Sequence, residues 1–119
     1  ILFSSRAPIG LMAIAANEVC TNQGFKSIVL KEDYMREYLY MTLQNEKDII
    51  AGEGSGSTFD EISGQTLKNY TINIPSNKIM LIFHKQAEQI FHATYLKQQE
   101  NIKLISLQKI LLSNIANKL

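Results

Sequence analysis

From Ser76 to the last residue, Leu119, the chain contains neither glycine nor proline. A run of that length without a breaker predicts one helix of roughly 40 residues, about 60 Å long at 1.5 Å per residue. A domain of this size cannot cover such a helix along its whole length. Phe83, Ala87, Ile90, Phe91, Tyr95, Ile102, Ile105, Leu112, Ala116 and Leu119 supply one set of apolar positions, and Leu104, Leu107, Leu111 and Ile115 a second row. Gln98 and Lys109 interrupt the first, so the pattern predicts an imperfect coiled-coil seam rather than a regular zipper. The far half needs a partner helix. Phe91, Ile102, Ile105, Leu112 and Leu119 are the expected interface positions, and a homodimer is the expected assembly.

Ahead of the helix, the stretch GSGSTFDEISGQTLKNYTINIP from Gly54 to Pro75 predicts a glycine-serine turn, a short capped helix, a strand and a proline stop. Thr58 and Glu61 stand in a capping-box spacing, with Gly64 expected to end the short helix. Tyr70, Ile72 and Ile74 alternate with polar residues as in a half-buried strand. Residues 1–3 predict a strand that stops before Pro8, which has no N–H to donate to a ladder. Residues 9–16 predict a second, mostly buried strand and residues 25–30 a third. Between these lies loop composition around Thr21-Asn22-Gln23-Gly24. Asp33 is placed to cap a helix that carries Met35, Tyr38, Leu39, Thr42 and Leu43 on one face and extends through Ile49 and Ile50 to Gly52.

The 119 residues suit one domain plus an extension, and an apolar content of 45% suits a small core. The chain does not begin with Met, and a strand already under way at Ile1 reads as part of a longer protein. Net charge is +1, with none of the excess that marks a strongly basic nucleic-acid binder. The distribution is uneven. Residues 32–61 hold eight carboxylates against Arg36 and Lys47, whereas residues 62–119 hold seven lysines against Glu88 and Glu100. A polyanion is repelled by the middle and tolerated by the two ends. The single cysteine, Cys20, fits a reducing cytosol and is expected as a small buried side chain. No apolar run approaches the roughly 20 residues that span a bilayer, so no membrane association is expected.

Catalytic constellations are sparse. His84 and His92 are eight apart on one helix, too far for a shared ion on adjacent turns, and no nearby acid or thiol completes a site. Gly52, Gly54 and Gly56 fail the phosphate-loop pattern, because Ser57 stands where lysine is needed. The acidic pairs Glu32/Asp33 and Asp60/Glu61 lie at expected helix starts, where the dipole favours carboxylates. Groups suited to base edges do occur in expected loops: Arg6, then Asn22, Gln23 and Lys26 around Gly24, then Ser55 and Ser57. Arginine pairs with guanine, and asparagine or glutamine with adenine. Solvated loops of any function carry such residues too.

Ala7-Pro8-Ile9-Gly10, Thr21-Asn22-Gln23-Gly24-Phe25, Gly56-Ser57-Thr58-Phe59 with Glu61-Ile62-Ser63, Leu67, and Ile72-Asn73-Ile74-Pro75 before a long helix occur in an order that resembles the specificity subunit of Type I restriction–modification systems. The resemblance covers essentially the whole chain. It departs after Pro75, where Ser76-Asn77-Lys78-Ile79 stands in place of a common P-x-x-E-Q-x-x-I run.

The resemblance implies an α/β (α+β) target recognition domain fragment, residues 1–75, followed by a conserved spacer helix, residues 76–119, that forms a coiled-coil-like arm. It implies sequence-specific recognition of double-stranded DNA by a non-catalytic, cytoplasmic subunit that carries no cofactor. S-adenosylmethionine, ATP and Mg belong to the methyltransferase and endonuclease partner subunits. The expected DNA contacts are Arg6, Asn22, Gln23, Lys26, Ser55 and Ser57. Two other classes stay open: a protein-interaction adaptor whose helix docks a partner without DNA readout, and an enzyme of unrecognised type.

Overall fold

The computed structural model describes residues 1–54 and 61–116. The chain divides into two units, Ile1–His84 and Lys85–Leu119. The first is an α+β unit around a three-stranded antiparallel sheet of order β2-β1-β3. Its strands are β1 (Leu2–Ser4), β2 (Met12–Ala13) and β3 (Phe25–Ser27), followed by a 3₁₀ turn at Asp33–Met35 and the helices α1 (Arg36–Gly52) and α2 (Gly64–Asn69). The long helix α3 (Asn77–Ala116) begins in this unit.

The sheet pairs Phe3 with Met12 on one side and with Lys26 on the other. Strand alternation puts Phe3 fully inside, where it joins Leu43 and Ile50 of α1 and Ile62. Leu43 and Ile50 are seven apart, two turns along one helix face. Met12, Ile28, Leu39, Leu67 and Tyr70 pack around them. The helical spacing read through Leu39 and Leu43 holds, and α1 ends at Gly52 as expected, although Ile49 stays exposed.

Several expected elements differ. The second strand shrinks from residues 9–16 to Met12–Ala13, with Ala13 exposed and Met12 half-buried. Gly10 accounts for this. It turns the chain at φ +85°, donates to Ser4 O, and leaves Ser4 N to bond Leu11 O. A side chain there would also meet Lys47 Cβ at 3.1 Å. An edge strand buries one face only, so "mostly buried" is corrected to half-buried. The third strand stops at Ser27, and Val29 is exposed.

Gly64 opens α2 rather than ending a helix. Ser63 is the N-cap, and its hydroxyl accepts from Thr66 N at 2.9 Å. The capping box drawn on Thr58 falls partly on residues 55–60, outside the described residues, and Glu61 pairs with Arg6 in an isolated antiparallel bridge. The expected strand at Tyr70–Ile74 is irregular. Ile72 is half-buried as the alternation implies, but Ile74 is exposed at the rim of the groove both share with Val29 and Met35, and Asn73 O takes its hydrogen bond from the Tyr38 hydroxyl, not from a neighbouring strand. Glu32, not Asp33, precedes the first turn of helix, with no side-chain cap bond. Cys20 is exposed, in irregular chain between β2 and β3.

One buried charge stands against this small core. Glu37 is fully buried. Arg36 donates to its Oε1 from Nε at 2.8 Å and Nη2 at 2.6 Å, and His84 Nδ1 lies 2.7 Å from Oε2. His84 therefore does have an acid beside it, from 47 residues away. The same helix turns hold Met80, fully buried, and Phe83, edge-on to the Tyr38 ring at 5.9 Å. Burial pushes the Glu37 carboxyl up. Hydrogen bonds from His84, the backbone and Arg36 outweigh burial and hold it below its ordinary value. A depressed folded value means that Glu37 stabilises the fold fully above the ordinary carboxylate range, and that this stability is lost as pH falls through the folded value. Replacing Glu37 with Gln is expected to cost about 2 kcal/mol at neutral pH, the order of hydrogen bonds to a charged group, and to flatten the acid limb of stability. Chemical denaturation of both proteins across that pH range checks this; equal acid sensitivity in the two rejects the assignment.

Candidate functional site

Ser5 and Arg6 continue β1 beyond its last strand residue, and their backbone collects two distant segments. Ser5 N donates to Gly24 O at 2.8 Å, and Ile62 N donates to Ser5 O at 2.9 Å. The loop before β3 and the segment at 61–62 therefore meet at Arg6. Both turn chemistry and charge hold them there.

Asn22 shapes the loop. Its Oδ1 accepts from Gly24 N at 2.9 Å, and its carbonyl accepts from Phe25 N at 3.1 Å. This is the self-bonding for which asparagine is favoured in turns. The missing side chain at Gly24 matters, because a Cβ would stand 3.1 Å from Asn22 Oδ1 and 3.7 Å from Arg6 Cδ. The glycine lets the arginine stem lie against the loop. Gln23 is exposed at the loop tip, and its carbonyl accepts from Lys26 Nζ at 3.2 Å.

Glu61 is the hub of the cluster. Its Oε2 takes a hydrogen bond from Arg6 Nε at 3.1 Å, and its Oε1 lies 3.6 Å from Lys26 Nζ. The Arg6 side chain is half exposed and Glu61 about one-third exposed. Two cations and one carboxylate thus share a solvent-facing corner.

Arg6, Asn22, Gln23 and Lys26, four of the residues expected to contact DNA, are brought to this corner. Ser55 and Ser57 lie outside the described residues. Glu61 was read from sequence as a helix cap, and its site position was missed. No local signal could have found it, since its partners Arg6 and Lys26 lie far from it in the sequence, Arg6 by 55 residues.

The second candidate surface is α3 within the Lys85–Leu119 unit. Ile102, Ile105 and Leu112 are exposed, at 56%, 53% and 58%, and Phe91 is half-buried. Leu119 lies outside the described residues. Leu104, Leu107, Leu111 and Ile115 are exposed beside Ile105 and Leu112. At about 100° per residue these rows adjoin into one apolar face, wider than a strict two-position seam. Ser106 and Thr94 bond back to the carbonyls four residues earlier, and Lys97 pairs with Glu100 at 2.7 Å. Among the described residues no three His, Cys, Asp or Glu side chains are placed to hold a metal ion, and no helix is long and apolar enough to cross a membrane.

A family model described as "Type I restriction modification DNA specificity domain" matches residues 1–114. The chain is 45% identical over 78 residues to the Type I restriction enzyme MjaIX specificity subunit of Methanocaldococcus jannaschii, an alignment covering 64% of this chain and 18% of that one. It is 28% identical over 123 aligned positions to the Type I restriction enzyme HindI specificity subunit of Haemophilus influenzae, covering 98% of this chain and 26% of the relative. The chain thus spans about a quarter or less of the length of these curated relatives. No solved structure matches significantly.

The Arg6–Glu61–Lys26 cluster is exposed enough that its ion pairs add little to stability, typically under about 1 kcal/mol each. Arg6→Ala is therefore expected to shift unfolding free energy by less than about 1 kcal/mol, measurable by denaturant titration. A larger loss assigns Arg6 to holding the fold.

Proposed function

The chain belongs to the family of Type I restriction modification DNA specificity domains, and we propose that it serves sequence-specific DNA recognition as a non-catalytic part of a longer specificity subunit. The observation that carries this reading is the corner at Arg6, where loops far apart in sequence present Arg6, Gln23 and Lys26 together. In this reading residues 1–75 form the recognition part and residues 76–119 the spacer helix.

The roles divide by chemistry. Arg6 has the donors to pair with a guanine edge, and Gln23 the donor and acceptor to pair with adenine. Lys26 supplies charge to a phosphate, which positions without reading sequence. Asn22 spends one acceptor position on Gly24 N, so its first task is to shape the loop, with its amide nitrogen left to donate. Ser55 and Ser57 complete the proposed contacts.

The broad apolar face of α3 supports pairing with another helix through Phe91, Ile102, Ile105, Leu112 and Leu119. Leucine and isoleucine left in water along several turns forgo roughly 1.5–3 kcal/mol each of burial energy. That favours a coiled-coil-like arm, formed with a second copy of this chain or with another helix of the parent subunit. Methyltransferase subunits, and through them an endonuclease, are the proposed protein partners in the cytoplasm. S-adenosylmethionine, ATP and Mg would act in those partners.

The adaptor reading shares the helix and differs at the loops, so DNA binding separates the two. Filter binding of the complete subunit, assembled with methyltransferase, is expected to retain duplex DNA carrying its methylated motif. Arg6→Ala or Gln23→Ala is expected to weaken that binding by about 10-fold, on the order of 1–3 kcal/mol per base contact, with a smaller effect on scrambled duplex. No retention of either duplex selects the adaptor. Separately, Ile105→Glu with Leu112→Glu is expected to convert a light-scattering dimer of this chain to monomer; a wild-type monomer at tens of micromolar rejects the homodimer.

A further inference from the structure

We propose that Glu61 is a specificity-determining residue, whose carboxylate occupies Arg6 and Lys26 in place of DNA phosphates and yields them only where base contacts compensate. The inference rests on the proposed DNA contacts at Arg6 and Lys26.

The geometry assigns this role. Each oxygen of Glu61 faces a different cation, Oε2 towards Arg6 Nε at 3.1 Å and Oε1 towards Lys26 Nζ at 3.6 Å. A phosphate presents anionic oxygens to the same donors in the same way. The residue is held in place by backbone: Arg6 and Glu61 form an antiparallel bridge, and the adjacent Ile62 is fully buried and bonded to Ser5 O. The main chain at Glu61 is therefore fixed at the corner, while its side chain and those of its partners stay in contact with water.

Folding stability alone does not account for this arrangement, since half-open pairs in contact with water contribute only modestly to it. A binding purpose does. Duplex DNA carries one negative charge per roughly 1.7 Å of axis, so two free cations on a loop corner attract every sequence alike. An acid fixed between them offsets that sequence-independent attraction. Arg6 donates to the acid through Nε.

The test uses the complete specificity subunit assembled with its methyltransferase subunits. The probes are a short duplex carrying the motif found methylated in the host genome and an equal-length duplex with that motif scrambled. Glu61→Gln keeps size and removes charge. It is expected to tighten binding to the scrambled duplex about threefold to tenfold, to lower the ratio of target to scrambled affinity, and to steepen the slope of log K against log salt by about one. Glu61→Asp is expected to restore wild-type slope and ratio. Unchanged slope and scrambled affinity in Glu61→Gln overturn the proposal, as does equal weakening on both duplexes, which marks a structural part only. Arg6→Ala and Lys26→Ala tell the two readings apart. If they weaken binding while Glu61→Gln changes nothing, the role of Glu61 alone falls. If they too leave both affinities at wild-type values, the proposed DNA contacts fall with it.

Discussion

A single short strand holds the Arg6 corner and the core together. β1 is the central strand, hydrogen-bonded to β2 and β3 at once, and its continuation at Ser5 and Arg6 takes the loop at Gly24 on one side and Ile62 on the other. Phe3, in its middle, is the residue on which Leu43, Ile50 and Ile62 close. Backbone bonds and core packing therefore act on the same five residues. Three segments remote in sequence arrive at one place because each must satisfy its hydrogen bonds against this strand.

The second constraint is electrostatic. A fully buried carboxylate is costly unless several donors meet it, and Glu37 is met by Arg36 and His84. This ties α1 to the first turns of α3, together with buried Met80 and the Tyr38–Phe83 ring contact. The start of the long helix is thus positioned by polar and aromatic contacts within the Ile1–His84 unit. In the unit Lys85–Leu119, Ile102, Leu104, Ile105, Leu107, Leu111, Leu112 and Ile115 are exposed along successive turns. The contrast locates the two kinds of interaction this chain offers: polar loops at the Arg6 corner and an apolar helix face.

Local signals suffice where neighbours in sequence decide the outcome. The breaker-free run after Ser76 became a helix over Asn77–Ala116, and the apolar spacing from Leu39 to Ile50 became α1, ended at Gly52. The turn at Asn22 to Gly24 came out as its composition implied. Strands are shorter than their patterns imply, because alternation shows which side chains can be buried but not whether a neighbouring strand is there to bond. Ile72 and Ile74 alternate without being a strand, and residues 9–16 give only two ladder positions after the turn at Gly10. Gly64 was misplaced because Ser63 competes for the same sequence neighbourhood and wins as an N-cap.

The sequence by itself determined the stiff helical tail, the loop chemistry and the family pattern, since each rests on spacing within a few turns or on ordered motifs. Only the tertiary structure decided that Glu61 sits between Arg6 and Lys26, and that His84 answers the buried charge of Glu37. Arg6 stands 55 residues from Glu61, and His84 stands 47 residues from Glu37. No local propensity encodes such pairings. They exist because closing the core around Phe3 and docking the base of α3 on α1 bring distant charges within a few ångströms, where each must find its counterpart.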